Sequence, residues 1–249
     1  MAADRHPAFR LTARWLAAMR NHRFDVLLCA LVLLLLWTPV VRLLAPIWPP
    51  ALSKITVTTL FCVVLLSAVF AVSQSRRSVW IALWMAVPGI VLYELNLVIA
   101  RDGLLAASYA FSIAFLGYTI IVILQFLFVD QRVTCNTIFA SLCVYLLLGV
   151  LWSTAYSLIE ILEPGSFTFG FADEQGEMRF GGGESIFPIY YSFVTLTTLG
   201  YGDIVPASAT ARMLSAAEAV TGQLYLAVLV ARLVGLHISQ STRHAPPRD

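Results

Sequence analysis

The chain has 249 residues, of which 59% are hydrophobic and 12% charged, with a mean hydropathy of +0.83 and a formal net charge of +2. A soluble domain is about 45–50% apolar and about 25% charged, so this composition excludes an ordinary water-soluble fold. The small net charge offers no basic field for a nucleic-acid partner. Cys29, Cys62, Cys135 and Cys143 lie in or beside apolar runs without metal-ligand spacing and read as small core residues.

Residues 1–23 form a cytoplasmic leader. In "FRLTARWLAAMRNHRF" Arg10 and Arg14 are four apart, with Leu11, Trp15 and Met19 on a neighbouring stripe. That is the pattern of a basic amphipathic helix lying on an anionic inner leaflet. Six apolar segments follow, at 24–44, 55–72, 79–99, 104–129, 136–161 and 210–236, each near the roughly 20 residues that cross a bilayer core as a helix. The first lacks a small-residue cleavage site, so it reads as a crossing and not as a signal peptide. With the N-terminus inside, eleven of the 16 basic residues fall on the cytoplasmic side. The positive-inside rule therefore places both termini in the cytoplasm of a multi-pass protein of the plasma (inner) cell membrane. The fourth segment, "LLAASYAFSIAFLGYTIIVILQFLFV", contains no Lys or Arg.

Between the fifth and sixth segments, a glycine-rich polar loop gives way to "SIFPIYYSFVTLTTLGYGDIVP". Ser185 is the expected N-cap of a short helix, with Pro188 tolerated in its first turn. The apolar run 186–197 spans roughly 18 Å as a helix, too short to cross. It must therefore enter the membrane and return. Non-helical backbone at that depth persists only where it is buried in protein or lines a water-filled path. Gly200 and Gly202 can take positive φ. Alternated with Leu199 and Tyr201, they let successive carbonyls point one way. Four copies around an axis would stack rings of oxygens, with the Thr198 hydroxyl at the inner end, and the helix C-terminus would aim negative charge at the pore.

Thr198-Leu199-Gly200-Tyr201-Gly202-Asp203 resembles the T-V-G-Y-G-D signature of the potassium-channel pore family. The resemblance covers about 50 residues from Phe187. It implies an all-α membrane protein of six transmembrane helices, with a re-entrant pore helix and selectivity-filter loop between helices five and six. It also implies a homotetrameric pore in lipid, with K+ as the transported ion at Thr198, Leu199, Gly200 and Tyr201, and no cofactor. Domain boundaries follow: 24–132 resembles a voltage sensor without its arginines, 133–238 is the pore domain, and 239–249 is a short tail. With so short a tail, no cytoplasmic gating domain is expected.

Tyr190 and Tyr191 fall where the family packs an aromatic pair behind its filter, with Thr195, Thr197 and Asp203 as further filter support. Gly222 falls at the family's inner-helix hinge. Gln223, Leu226, Val230 and Val234 recur at helical spacing and share a face. The resemblance implies that this face lines the cavity below the filter, with Gln223 either looking at ions or pairing across helices. Family members often brace the post-filter aspartate with a carboxyl one turn before the filter threonine. Val194 stands there, which leaves the Tyr190 or Tyr191 hydroxyl to hold Asp203 or Tyr201. Glu94 and Asn96 resemble the acidic partners of a voltage sensor but have no basic ladder to pair with, and Glu94 reads as a neutral, hydrogen-bonded core carboxyl. Glu218 should face protein behind the filter, either as a protonated structural carboxyl or as a gating-sensitive charge. G-Y-G-D also satisfies the G-x-G-D motif of intramembrane aspartyl proteases, but Asp203 lacks the second intramembrane aspartate that this chemistry requires, so no enzyme is expected.

Overall fold

The computed structural model describes residues 23–44, 50–72, 76–129, 134–170, 180 and 186–243. The amphipathic leader, Ser185 and most of the polar loop lie outside the described residues. Where an apolar chain has no water to bond with, its backbone groups must satisfy one another, and helices result. In chain order these are α1 (Arg23–Leu44), α2 (Pro50–Val72), α3 (Arg76–Ile99), α4 (Asp102–Val129), α5 (Cys135–Leu162), α6 (Phe187–Leu196) and α7 (Ala209–Arg243). Each of the six expected crossings falls on one helix. Among the described residues four spans are long and apolar enough to cross a membrane: Arg77–Ile99, Asp102–Val129, Cys135–Leu162 and Ala209–Gly235. The apolar stretches Phe24–Trp37 in α1 and Thr59–Ala71 in α2 are shorter.

The expected all-α architecture needs one amendment. A two-stranded antiparallel ladder joins β1 (Phe167–Phe169) to β2 (Ile204–Pro206), pairing Phe167 with Pro206 and Phe169 with Ile204. It is too short to signal itself by alternation, and it ties the chain after α5 to the chain after Gly202.

Two local devices set the helix ends. Thr134 caps α5 in a reciprocal box: its hydroxyl accepts from the Thr137 N–H at 3.3 Å, and the Thr137 hydroxyl accepts from the Thr134 N–H at 2.9 Å. At the tight α3–α4 link, Ala100 takes a φ of 52° and the Asn96 side-chain oxygen accepts from the Arg101 N–H at 3.1 Å. Asn96 is therefore a local cap, not a sensor group. Glu94 is exposed, contrary to the expected core carboxyl. The cysteine expectation also holds only in part: Cys143 is buried, whereas Cys29 and Cys135 are exposed.

The main core gathers side chains of α1, α2, α4 and α5, including Phe24, Leu27, Val64, Phe115, Leu116 and Leu147. The buried hydroxyls of α4 do not break it, because Ser112 and Thr119 each donate to a carbonyl of their own helix, at 2.9 Å. The long helix α7 is fixed to α5 by the Tyr225 hydroxyl, which donates to the Ser141 carbonyl at 2.6 Å. Arg232 reaches α4, its guanidinium 5.5 Å from the centre of the Phe128 ring. A second core, around Tyr156, Phe167, Phe180, Tyr191 and Ile204, holds α6 and the ladder against α5.

Candidate ion-conduction site

α6 is ten residues long. Its N-cap is Ile186 and not the expected Ser185, with no side-chain cap bond. Pro188 gives the reason: in the first turn it has no N–H for a cap to satisfy. Tyr191, Ser192, Val194 and Leu196 are buried, so one face of this short helix is wedged between α5 and α7. Close approach on the α5 side depends on Gly149, where a Cβ would sit 2.5 Å from the Phe193 ring. On the α7 side it depends on Gly222, where a Cβ would sit 2.2 Å from the Leu196 carbonyl oxygen. Gly222, expected as a hinge, makes a packing contact against the backbone of α6.

Beyond α6 the chain turns its N–H groups backwards. Thr197 N donates to Phe193 O at 3.1 Å, Thr198 N to Thr195 O at 2.9 Å, and Leu199 N to Val194 O at 2.9 Å. Gly200 N reaches the same Val194 carbonyl at 3.3 Å. The helix end is capped by the loop, and the N–H groups of residues 197–200 are used up in doing so. Positive φ then recurs at every second residue: Thr198 at 58°, Gly200 at 57° and Gly202 at 78°. Leu199 and Tyr201, between them, stay on the negative side. The sequence marked two of these positions by glycine but gave no sign of the third. A threonine with positive φ carries strain of about 1–3 kcal/mol that surrounding structure must hold.

The supports are specific. The Tyr190 hydroxyl donates to the Asp203 carboxylate at 2.6 Å, and Asp203 also accepts from the Ile204 N–H at 3.0 Å. The bond to Asp203 holds the Tyr190 phenol pKa up at about 12. Tyr191, the other tyrosine considered for that role, instead meets Ser215 of α7 at 2.7 Å. Its ring packs edge-on against Tyr156, Phe167 and Phe180. Thr197 bonds its own helix at the Phe193 carbonyl, 2.7 Å away, and the Thr195 carbonyl serves Thr198. The Asp203 carbonyl accepts from Gly170 N at 2.7 Å, so the polar loop and ladder hold the outer end.

At the inner end, the Gln223 amide nitrogen lies 3.3 Å from the Thr198 hydroxyl. Gln223, Leu226, Val230 and Val234 share an exposed face of α7. Leu199 and Tyr201 are 55% and 67% exposed. Glu218 faces inward behind the loop and is wholly buried. Its partners, Tyr156 on α5 and Ser192 on α6, were not legible beforehand. A serine four residues before Leu196 in an apolar run was the available signal.

Residues 142–236 match the model of a family described as "Ion channel", covering α6, the glycine loop and most of α5 and α7. Two-pore potassium channel 4 of Arabidopsis thaliana is 36% identical over 80 residues, which are 31% of this chain and 27% of that protein. Both comparisons support a likeness of this segment to the potassium-channel pore family. The aligned stretch spans little more than a quarter of that relative's length. No solved structure matches the chain. The ion-channel match and the four long apolar helices support a multi-pass membrane protein of the ion-channel kind, and the matched residues are those of α5, α6, the loop and α7.

Proposed function

We propose that the chain is the subunit of a potassium-selective channel, in which four copies surround one axis and residues 198–202 form the filter. The observation that carries this reading is the positive φ at Thr198, Gly200 and Gly202, with the N–H groups of residues 197–200 turned back onto α6. In four copies, the carbonyls of Thr198, Leu199, Gly200 and Tyr201 and the Thr198 hydroxyl become stacked oxygen rings. Such rings replace the water shell of K+, the established chemistry of this family. The name of the Arabidopsis relative supports the same ion.

Assembly is supported by what a single copy leaves uncovered. Two exposed stripes run along α7: Gln223, Leu226, Val230 and Val234 would line the cavity, while Val220, Leu224 and Val228 would meet a neighbouring copy. The reading includes six crossings, a re-entrant α6 and both termini in the cytoplasm. It includes no voltage sensor, because α4 carries no Lys or Arg. The channel conducts passively and performs no catalysis.

Liposomes containing the protein should take up K+ and Rb+ but not Na+ or Cl−, and native mass spectrometry should give four chains per particle. Equal Na+ uptake, or a monomer that conducts, would sink the proposal.

A further inference from the structure

Behind the candidate filter, three helices meet at one carboxyl group. Glu218 of α7 has no exposed surface, and neither has Tyr156 of α5 or Ser192 of α6. The Tyr156 hydroxyl lies 2.5 Å from Glu218 Oε2. Ser192 Oγ lies 2.5 Å from Glu218 Oε1 and 2.7 Å from the carbonyl oxygen of Gly149 on α5. The protons in this cluster can be counted. A serine hydroxyl has one hydrogen to donate, and a carbonyl can only accept. Ser192 therefore cannot donate to both neighbours. Both contacts are full, unshared hydrogen bonds only if Ser192 donates to Gly149 and Glu218 donates to Ser192. Glu218 must then be a carboxylic acid, with its other oxygen accepting from Tyr156.

The surroundings agree. The titratable groups facing Glu218 are phenols, Tyr156 and Tyr145 from α5 and Tyr191 from α6. None of these is a cation, and an unpaired charge at a dry site is costly. With the proton in place every polar atom of the cluster has a partner. With it gone, Ser192 swings its hydrogen to the carboxylate and the bond from α6 to α5 is lost.

Resting on the channel reading above, we propose that Glu218 is a positioning residue. It is a neutral acid that latches α6 to α5 and α7 together, and loss of its proton frees α6 from α5 and closes the filter. The latch takes the place, from a different helix, of the carboxyl brace that Val194 cannot supply. Replacing Glu218 by Gln preserves the geometry, since the amide oxygen accepts from Tyr156 and the amide nitrogen donates to Ser192 permanently.

The test uses the full chain in liposomes with two readouts. Conductance of the wild type should fall about tenfold as the bath is made alkaline, the effect of one lost buried bond, while E218Q stays flat. The titration is kept below about pH 10, where tyrosines begin to ionise. Infrared difference spectra across the same range should show a protonated carboxyl band disappearing in the wild type and no such band in E218Q. Matching pH profiles in the two proteins, or a wild type without the band, would overturn the proposal. The infrared readout needs no ion flux. A band in a protein that passes no K+ would therefore keep the acid and reject the channel.

Discussion

Replacing Gly222 by Ala adds one methyl group at the place where α7 crosses the end of α6. The new Cβ would stand 2.2 Å from the Leu196 carbonyl oxygen, 3.0 Å from its Cδ1 and 3.1 Å from its carbonyl carbon. Ordinary contact begins at 3.4 Å, so the backbones must separate by about 1 Å. Leu196 is fully buried and cannot yield by a rotamer change. Overpacking of this kind costs about 1–3 kcal/mol per site, and it would act two residues before Thr198. The conductive filter should therefore lose about 5- to 150-fold in population, by the rule of tenfold for each 1.4 kcal/mol. Single-channel recording checks this, with tetramer melting in detergent as the structural control. Gly149→Ala supplies the contrast, because its obstacle is the ring end of Phe193 and not backbone. G149A should be milder and should recover with Phe193→Leu, whereas no side-chain trimming should rescue G222A. A G222A channel with wild-type conductance and melting would refute the close approach. One that changed only its opening kinetics would favour a hinge.

Several further outcomes are expected. Tyr190→Phe removes a hydrogen bond to a charged group, worth about 1.5–3 kcal/mol, and should shorten the time the filter stays conductive. Tyr191→Phe should leave that dwell time unchanged, because its partner is Ser215. Since the folded Tyr190 pKa lies above its ordinary 10, its bond contributes fully below pH 10 and is lost as pH rises toward about 12. E218Q channels should therefore hold steady to pH 10 and fail only above it. Gln223→Leu removes the amide beside the Thr198 hydroxyl and should lower unitary conductance without altering tetramer number. Open probability should change shallowly with voltage, and gating by roughly ten charges per tetramer would mean that a sensor exists outside α4.

The helices were legible because each apolar run is long and bounded by charged or turn residues. The glycine loop was legible because two positive-φ positions carry glycine. Thr198 was not, because its left-handed backbone is imposed by N–H groups returning to α6, a tertiary cause that leaves no residue signature. The direction of Glu218 could be read from helical geometry, but its partners come from α5 and α6 and depend on packing. Glu94 was misread as buried because an acid inside an apolar run looks like a core group, whereas here it lies on the exposed face of α3. Asn96 looked like a sensor partner, yet its work is local, closing the turn at Ala100. The β1–β2 ladder escaped notice because three-residue strands carry too few alternations to register.

Ion selectivity distinguishes a K+ filter from a leaky cation pore. The purified protein is placed in a planar bilayer with a K+ gradient opposed by Na+, and the reversal potential of its current is read. A potassium-selective filter gives a reversal close to the K+ equilibrium potential, unmoved when chloride is replaced, and that value collapses when Tyr201 or Gly202 is substituted. A wild-type reversal near zero would contradict such a filter.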